Sequence, residues 1–374
     1  MRILILTNYA NGLYLFRREL LKALLADGHE VLVSLPPDEM VERLKGISAG
    51  GSSPQIIETP FERRGMNPFR DLKLFMTYGR LLRERKPDAV LTYTIKPNLY
   101  GGLACRLSHI PYLANVTGLG TAIERGGVLS RILLAMYRLS LNRAVTVFFQ
   151  NQGNRDFLGR HGIGRDNGEV LPGSGVNLAE HPYCAYPSEE DGIRFLAVLR
   201  IMRDKGIGEY FAAAEQLKKT HPKLRFVLAG EYEEEERSHW EPEIRRLSEA
   251  GILDYVGHID HVHDLMAECH VILHPSYHEG LSNVLLEAAA CGRPVLASDV
   301  DGCTAAFLEG ESGFSFAPRD VQAIVGSVER FLALTAEQRA EMGRAGRKYM
   351  EEHFDRQIVI NRYREVLLNC GQQL

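Results

Sequence analysis

The chain has 374 residues, 45% of them hydrophobic and 25% charged, and a net charge of −4. That is more than one hydrophobic core organises comfortably and suits two domains of roughly 150–200 residues in a globular enzyme. The six cysteines (Cys105, Cys184, Cys269, Cys291, Cys303, Cys370) lie far apart without a C-x-x-C pair, which argues for reduced thiols and against a disulfide framework or a zinc site.

Charge is unevenly divided. Residues 1–180 balance at +7 and the remainder at −11, so the first half is expected to meet something anionic. The opening MRILILTNYA reads as a buried strand rather than a secretory leader, because a polar turn follows at once. No apolar run approaches the roughly 18–20 residues of a membrane-spanning helix.

Strands and helices then alternate. RILIL, EVLVSL, DAVLTY, YLANVT and VTVFFQ read as strands of the first half, and IRFLAVL, LRFVLAG, LDYVGH, VILHPS and PVLASD as strands of the second. Between them lie helical stretches such as LYLFRRELLKALLADG, with apolar residues at spacings of three and four. Such alternation builds parallel sheets covered by helices on both faces. Two series, each restarting with its own strand, predict two Rossmann-like domains. The junction is expected in the Gly-, Pro- and acid-rich stretch 171–192. Ligands of such sheets bind beyond the C-terminal ends of the strands, so the chemistry is sought in those loops.

In the first half, the loop TNYANGLYLF after the opening strand offers only Gly12, which can take a positive φ where other residues would strain. A G-x-G-x-x-G fingerprint is absent there, which disfavours a nicotinamide oxidoreductase. Further on, ERGGVLSRILLAMYRLSLNRA sets Arg125, Arg131, Arg138 and Arg143 around an apolar stripe of Leu129, Ile132, Leu133, Met136 and Leu139. A basic amphipathic helix of this kind lies either in a membrane interface or, equally, against an ordinary core with arginines on its rim.

The second half carries the clearer chemistry. The strand IRFLAVL runs into RIMRDKGI, which puts Arg200 and Lys205 just beyond a strand end and before a helix. Two cations there can neutralise a departing diphosphate, the alternative being a solvated basic turn. In VILHPSYHEGLSNVLLEAAACGRPVLASD a strand leads through a loop into a helix beginning near Gly280 to Ser282. The amides of Gly280, Leu281, Ser282 and Asn283 form an anion site at that helix start. Glu279 precedes the helix and Glu287 follows eight residues later, on nearly the same face, where a carboxylate can accept from the two hydroxyls of a ribose. Taken alone, the two acids read equally well as a helix N-terminal acid and a surface glutamate.

Together, R-I-M-R-D-K-G and H-E-G-L-S-N-V-L-L-E resemble the donor signature of GT-B glycosyltransferases of the retaining family GT4. The resemblance implies an α/β GT-B fold of two Rossmann-like domains facing across a cleft. Residues 1–180 with 355–374 would form the acceptor domain, to which the final helix returns, and 185–354 the nucleotide-sugar domain. It implies that Arg200 and Lys205 hold the diphosphate, Glu279 the transferred sugar, Glu287 the ribose, and His258 and Ile259 the base. Where relatives carry His-Gly, this chain has Thr117-Gly118; Thr117 either bonds the sugar or simply ends the strand.

RRGMNPF, TIKPNLYGG, NVTGLGTA and VFFQN resemble enzymes of capsule, O-antigen and lipid-linked glycan assembly, including N-acetylgalactosaminyltransferases acting on undecaprenyl-diphosphate sugars. That likeness makes Lys96 and Asn98 candidates for the acceptor diphosphate.

The expected activity is transfer of a hexose or N-acetylhexosamine from a UDP-sugar to a lipid-linked saccharide, at the inner face of the plasma membrane and touching anionic lipid through the first domain. A GT-B sugar-nucleotide 2-epimerase and a non-catalytic donor-binding subunit are the alternatives. No cofactor, metal or nucleic acid is expected. The D-x-D of Asp299 to Asp301 falls where the family reads G-G-x-x-E, and the cluster of His258, His261 and His263 with Asp260 and Asp264 reads as a polar loop. The run Glu233 to Glu236 reads as a solvated loop.

Overall fold

In the computed structural model, residues 1–371 are described apart from 63, 64, 66, 120–122, 124, 125 and 260. Arg125 and Asp260, and parts of RRGMNPF and NVTGLGTA, therefore lie outside the described residues. The chain divides into two compact units, Met1–Ser174 with the segment from Gln357 onward, and Gly175–Arg356.

The first unit is a parallel sheet of seven strands: β1 (Arg2–Leu6), β2 (Glu30–Leu35), β3 (Gln55–Glu58), β4 (Ala89–Tyr93), β5 (Tyr112–Val116), β6 (Thr146–Phe149) and β7 (Gly168–Val170), in the order β3-β2-β1-β4-β5-β6-β7. Along β1, Ile3 and Ile5 face one apolar layer while Leu4 and Leu6 face the other, so the sheet is buried on both sides. The helices that matter below are α1 (Ala10–Ala26), α2 (Pro68–Arg85), α3 (Gly102–Ser108) and α4 (Gly127–Leu141). The last helix of the chain adds Val359, Ile360, Tyr363, Val366 and Leu367 to the layer that holds Ile3 and Ile5.

The second unit repeats the plan with six parallel strands: β8 (Arg194–Val198), β9 (Arg225–Ala229), β10 (Leu253–Gly257), β11 (Val271–His274), β12 (Val295–Ser298) and β13 (Gly313–Phe316), ordered β10-β9-β8-β11-β12-β13. Phe195 and Ala197 of β8 and Val271 and Leu273 of β11 face one layer; Leu196 and Ile272 face the other. The second layer is closed by α5 (Asn283–Ala290), which buries Leu285, Leu286 and Ala288 to Ala290.

Both sheets follow the doubly wound 3-2-1-4-5-6 order, whose direction reverses beside the first strand, and ligands bind at that reversal. In the first unit it lies between β1 and β4, in the second between β8 and β11. β3, β7 and β13, which the sequence reading did not anticipate, are all edge strands of three or four residues.

Candidate active site

The loops after β8 and β11 meet at the reversal of the second sheet. Gly206, at φ 69°, brings the first loop so close to the second that an added Cβ would stand 2.1 Å from the Pro275 carbonyl oxygen. The Tyr277 N–H donates to the Asp204 carbonyl (3.0 Å), and the Tyr277 hydroxyl donates to Glu209 (2.6 Å). On the other side the Ser282 N–H donates to the Gly302 carbonyl (2.9 Å), and Gly302 has no room for a side chain because Glu279 Cβ and carbonyl crowd it. Three strand-end loops thus fix one another through backbone.

Inside that frame Lys205 Nζ donates to Glu279 Oε1 (2.6 Å), and both side chains are largely buried. His274 Nε2 lies 3.0 Å from the same oxygen and 3.3 Å from Ser282 Oγ. Strand alternation explains the histidine: His274 continues the parity of Ile272, toward the layer that α5 closes. Burial raises the Glu279 pKa, but the His274 hydrogen bond and the Lys205 charge outweigh it and hold the carboxyl down at about 2. Glu279 is thus a carboxylate throughout the physiological range. His274 was not anticipated; the signal for it was a polar residue at the end of an otherwise apolar central strand.

Glu287, in the middle of α5, has the opposite electrostatics. Burial pushes its carboxyl up to about 7, with Arg356 drawing it down and Glu180 raising it. Glu279 lies outside α5, whose N-cap is Ser282, so the shared helical face expected for the two acids does not arise. The expected four-amide anion site is also reduced, since the Ser282 N–H is engaged by the Gly302 carbonyl. Arg200 is exposed and pairs with Glu233 (2.8 Å). The acidic run is more than a solvated loop: Glu236 accepts from the Arg203 N–H (2.8 Å) and from Trp240 Nε1 (2.9 Å). His258 is exposed 3.4 Å from Glu231, and Ile259 packs on the α5 layer.

In the first unit the expected residues separate. Gly12 sits inside α1 without a positive φ, with the end of the Tyr9 ring lying where a Cβ would stand. Asn98 does not reach the surface: its amide donates to the Asn115 carbonyl (2.8 Å) and its Oδ1 accepts from the Thr92 hydroxyl (2.6 Å). It braces β4 and β5 rather than presenting a donor to ligand. Lys96 pairs with Asp71 (2.8 Å) on the wall of a cavity of about 620 Å³ beyond β2, β3 and β4, where Arg70, Lys73 and Phe61 also stand. Half-buried Thr117 borders a small cavity with Asn115, Gln150 and the buried Arg17.

At the reversal itself, buried Asn8 Oδ1 and Thr94 Oγ1 have no hydrogen-bond partner among the described residues, and Thr94 holds a left-handed φ of 73°. Neither residue was singled out from sequence, where both read as ordinary loop positions.

The stripe expected on α4 is split. Leu133 turns inward, while Leu129, Ile132 and Leu139 are exposed together with Val128, Arg131 and Arg138. α3 packs against both α2 and α4, and α2 exposes Phe69, Leu72 and Met76. Among the described residues no helix is long and apolar enough to cross a membrane.

Residues 185–349 match the family described as Glycosyl transferases group 1, and residues 12–173 match the Glycosyl transferase 4-like domain. The matches fall one on each unit. The chain is a glycosyltransferase. The transferase is 29% identical, over 84% of each chain, to the N,N'-diacetylbacillosaminyl-diphospho-undecaprenol alpha-1,3-N-acetylgalactosaminyltransferase of Campylobacter jejuni. It is 24% identical to the capsular polysaccharide biosynthesis glycosyltransferase CapM of Staphylococcus aureus, over 79% of this chain and 80% of that one. Its fold is GT-B: it superposes along its whole length on Anabaena HepE in complex with UDP-glucose (TM-score 0.78, 18% identity) and on sucrose-phosphate synthase of Thermosynechococcus elongatus (TM-score 0.80, 19% identity), each covered in full.

Proposed function

We propose that the transferase moves a hexose or N-acetylhexosamine, with retention at the anomeric carbon, from a UDP-sugar to an undecaprenyl-diphosphate-linked saccharide. The observation that carries this reading is the Lys205–Glu279–His274 cluster at the reversal of the second sheet. Lys205, joined by Arg200 when that residue leaves Glu233, neutralises the diphosphate as it departs. Glu279, held ionised, accepts hydrogen bonds from the transferred sugar, and Glu287 from the ribose. His258 and Ile259 stand after β10, at the base. Retention follows from front-face departure, in which the leaving phosphate guides the incoming hydroxyl and no enzymic nucleophile is used.

The acceptor reading rests on the Campylobacter relative, named for action on a diphospho-undecaprenol sugar, and on the cavity around Lys96, whose wall carries Arg70, Lys73 and Arg80 beside Glu58, Glu62 and Asp71. The exposed apolar and basic residues of α2 and α4 support peripheral attachment to the inner, anionic face of the plasma membrane.

The test is a panel of UDP-sugars incubated with the transferase and an undecaprenyl-diphosphate saccharide, with the product linkage read by NMR. Transfer with the donor's anomeric configuration is expected. An inverted product overturns retention, and an epimerised nucleotide sugar formed without acceptor overturns transfer itself. Attachment is checked by sedimentation with phosphatidylserine vesicles. Binding that high salt releases and that Arg131→Glu/Arg138→Glu weakens is expected, and salt-independent behaviour with no loss in the variant counts against it.

A further inference from the structure

Away from the donor cluster, the second unit gathers four soft or borderline donors that lie far apart in the chain. His263 Nδ1 stands 2.8 Å from Cys291 Sγ, and Cys184 Sγ lies 3.7 Å from the other ring nitrogen of His263. The His181 ring meets the His263 ring edge-on at 5.7 Å between centroids, and one donor atom each from His181, His263 and Cys291 lies within 4.8 Å of the others. His181 Nδ1 is buried and has no hydrogen-bond partner among the described residues. An orphaned imidazole nitrogen facing a thiol and a second imidazole is what an apo metal site presents, because the ion is the missing partner.

The donors are positioned by groups that are not themselves donors. Arg293, fully buried, donates to the carbonyls of Cys184 (3.2 Å) and Ala185 (2.9 Å) and, through Nε, to Met266 (3.0 Å) on the helix that carries His263. Arg347 donates to the carbonyls of His181 (2.9 Å) and Ala290 (3.0 Å). The Cys184 N–H donates to the Cys291 carbonyl (3.2 Å), and Gly292, at φ 75°, lets the Tyr183 ring approach where a Cβ would collide. Three segments are therefore held in register without an ion, as a site that binds a metal in the folded state requires.

We propose that His181, His263 and Cys291 form a three-ligand binding site, with a fourth position open, for a divalent ion of the zinc class. Two imidazoles and thiolate sulfur favour a tetrahedral d¹⁰ ion over magnesium or calcium, which take oxygen ligands. Cys291 caps the C-terminal end of α5, four residues beyond Glu287, so the bound ion ties the 181–184 segment to the end of that helix. This site stands on its own geometry and is independent of the donor reading. The sequence predicted no metal, since the cysteines are scattered without a C-x-x-C pair and His181, His263 and Cys291 are brought together only by the fold.

The probe is Co²⁺ alone, titrated into the full-length metal-free protein, followed by competition with Zn²⁺. One Co²⁺ per chain with sulfur-to-metal charge transfer and tetrahedral ligand-field bands is expected, displaced by Zn²⁺. Cys291→Ser and His181→Gln should each weaken binding by at least about 100-fold, whereas Cys370→Ser, a buried thiol of the first unit, should leave it unchanged. If Cys291→Ser fails to fold, His181→Gln carries the test, since that ring is half-buried and at the segment's edge. Absence of the sulfur band in folded wild-type protein overturns the proposal, as does a band that survives in His181→Gln.

Discussion

The two sheets share one strand order, yet their reversals are furnished differently. Beyond β8 and β11 the side chains are charged, paired and framed by three backbone-locked loops. Beyond β1 and β4 an ion pair, Lys96 with Asp71, stands among neutral polar groups, several of which are consumed inside the unit: Asn98, Thr92, Asn115 and Tyr363 form a buried hydrogen-bonded chain. The same scaffold therefore supports a rigid electrostatic site in one unit and, in the other, a sparser set of polar groups: Lys96 with Asp71 at the cavity wall, and Asn8 Oδ1 and Thr94 Oγ1, which have no hydrogen-bond partner among the described residues. Invariant chemistry suits the first arrangement and variable specificity the second.

The comparison is broken most directly at the cations. Lys205→Ala and Arg200→Ala should each lower kcat by about 10²–10³-fold with the fold intact by circular dichroism; near-normal turnover in either variant removes that residue from the chemistry. Asn98→Ala separates bracing from binding in the first unit. It should cost about 1–3 kcal/mol of stability by denaturant unfolding, because Thr92 and the Asn115 carbonyl lose a buried partner. Turnover well below the melting transition should stay close to wild type. Lost turnover at unchanged stability would mean that Asn98 serves the acceptor after all.

The smallest effect concerns the two glutamates. With its carboxyl near 7, Glu287 should bind ribose better as pH rises from about 6 to 8, so the donor KM falls over that range by a few fold, and Glu287→Gln should flatten the profile. The stability signs are opposite. The raised pKa of Glu287 contributes stability below its unfolded value near 4.5, lost as pH rises through about 7; the depressed pKa of Glu279 contributes stability above 4.5, lost as pH falls toward about 2. A pH series of melting temperatures in Glu287→Gln and Glu279→Gln reads both.

What was legible in the sequence follows the same divide. Central strands such as VILH and RFLAV are apolar but for one end residue and announce themselves, whereas QIIE, GEV and GFSF are short edges with little periodicity to detect. Arg200, Lys205, Glu279 and Glu287 stood out because charge beside a strand end or helix start has a chemical meaning. The positions of their partners did not: that Ser282 gives its N–H to Gly302, or that His274 shares Glu279 with Lys205, depends on which loops the sheet brings together. Gly12 shows the limit from the other side, since a glycine read as free to bend the backbone instead sits inside a helix.

The pairing of Arg200 with Glu233 and of Lys205 with Glu279 bears on which anions the second unit tolerates. An arriving ligand has to take each cation from a carboxylate that already holds it, so entry is an exchange and not a simple attraction. Orthophosphate, abundant and small, brings nothing beyond its own charge to offset that loss. A nucleoside diphosphate brings ribose hydroxyls and a base in the same molecule, and only such a composite ligand gains from the exchange. Under the proposed donor reading, the two ion pairs disfavour a lone phosphate relative to a nucleoside diphosphate.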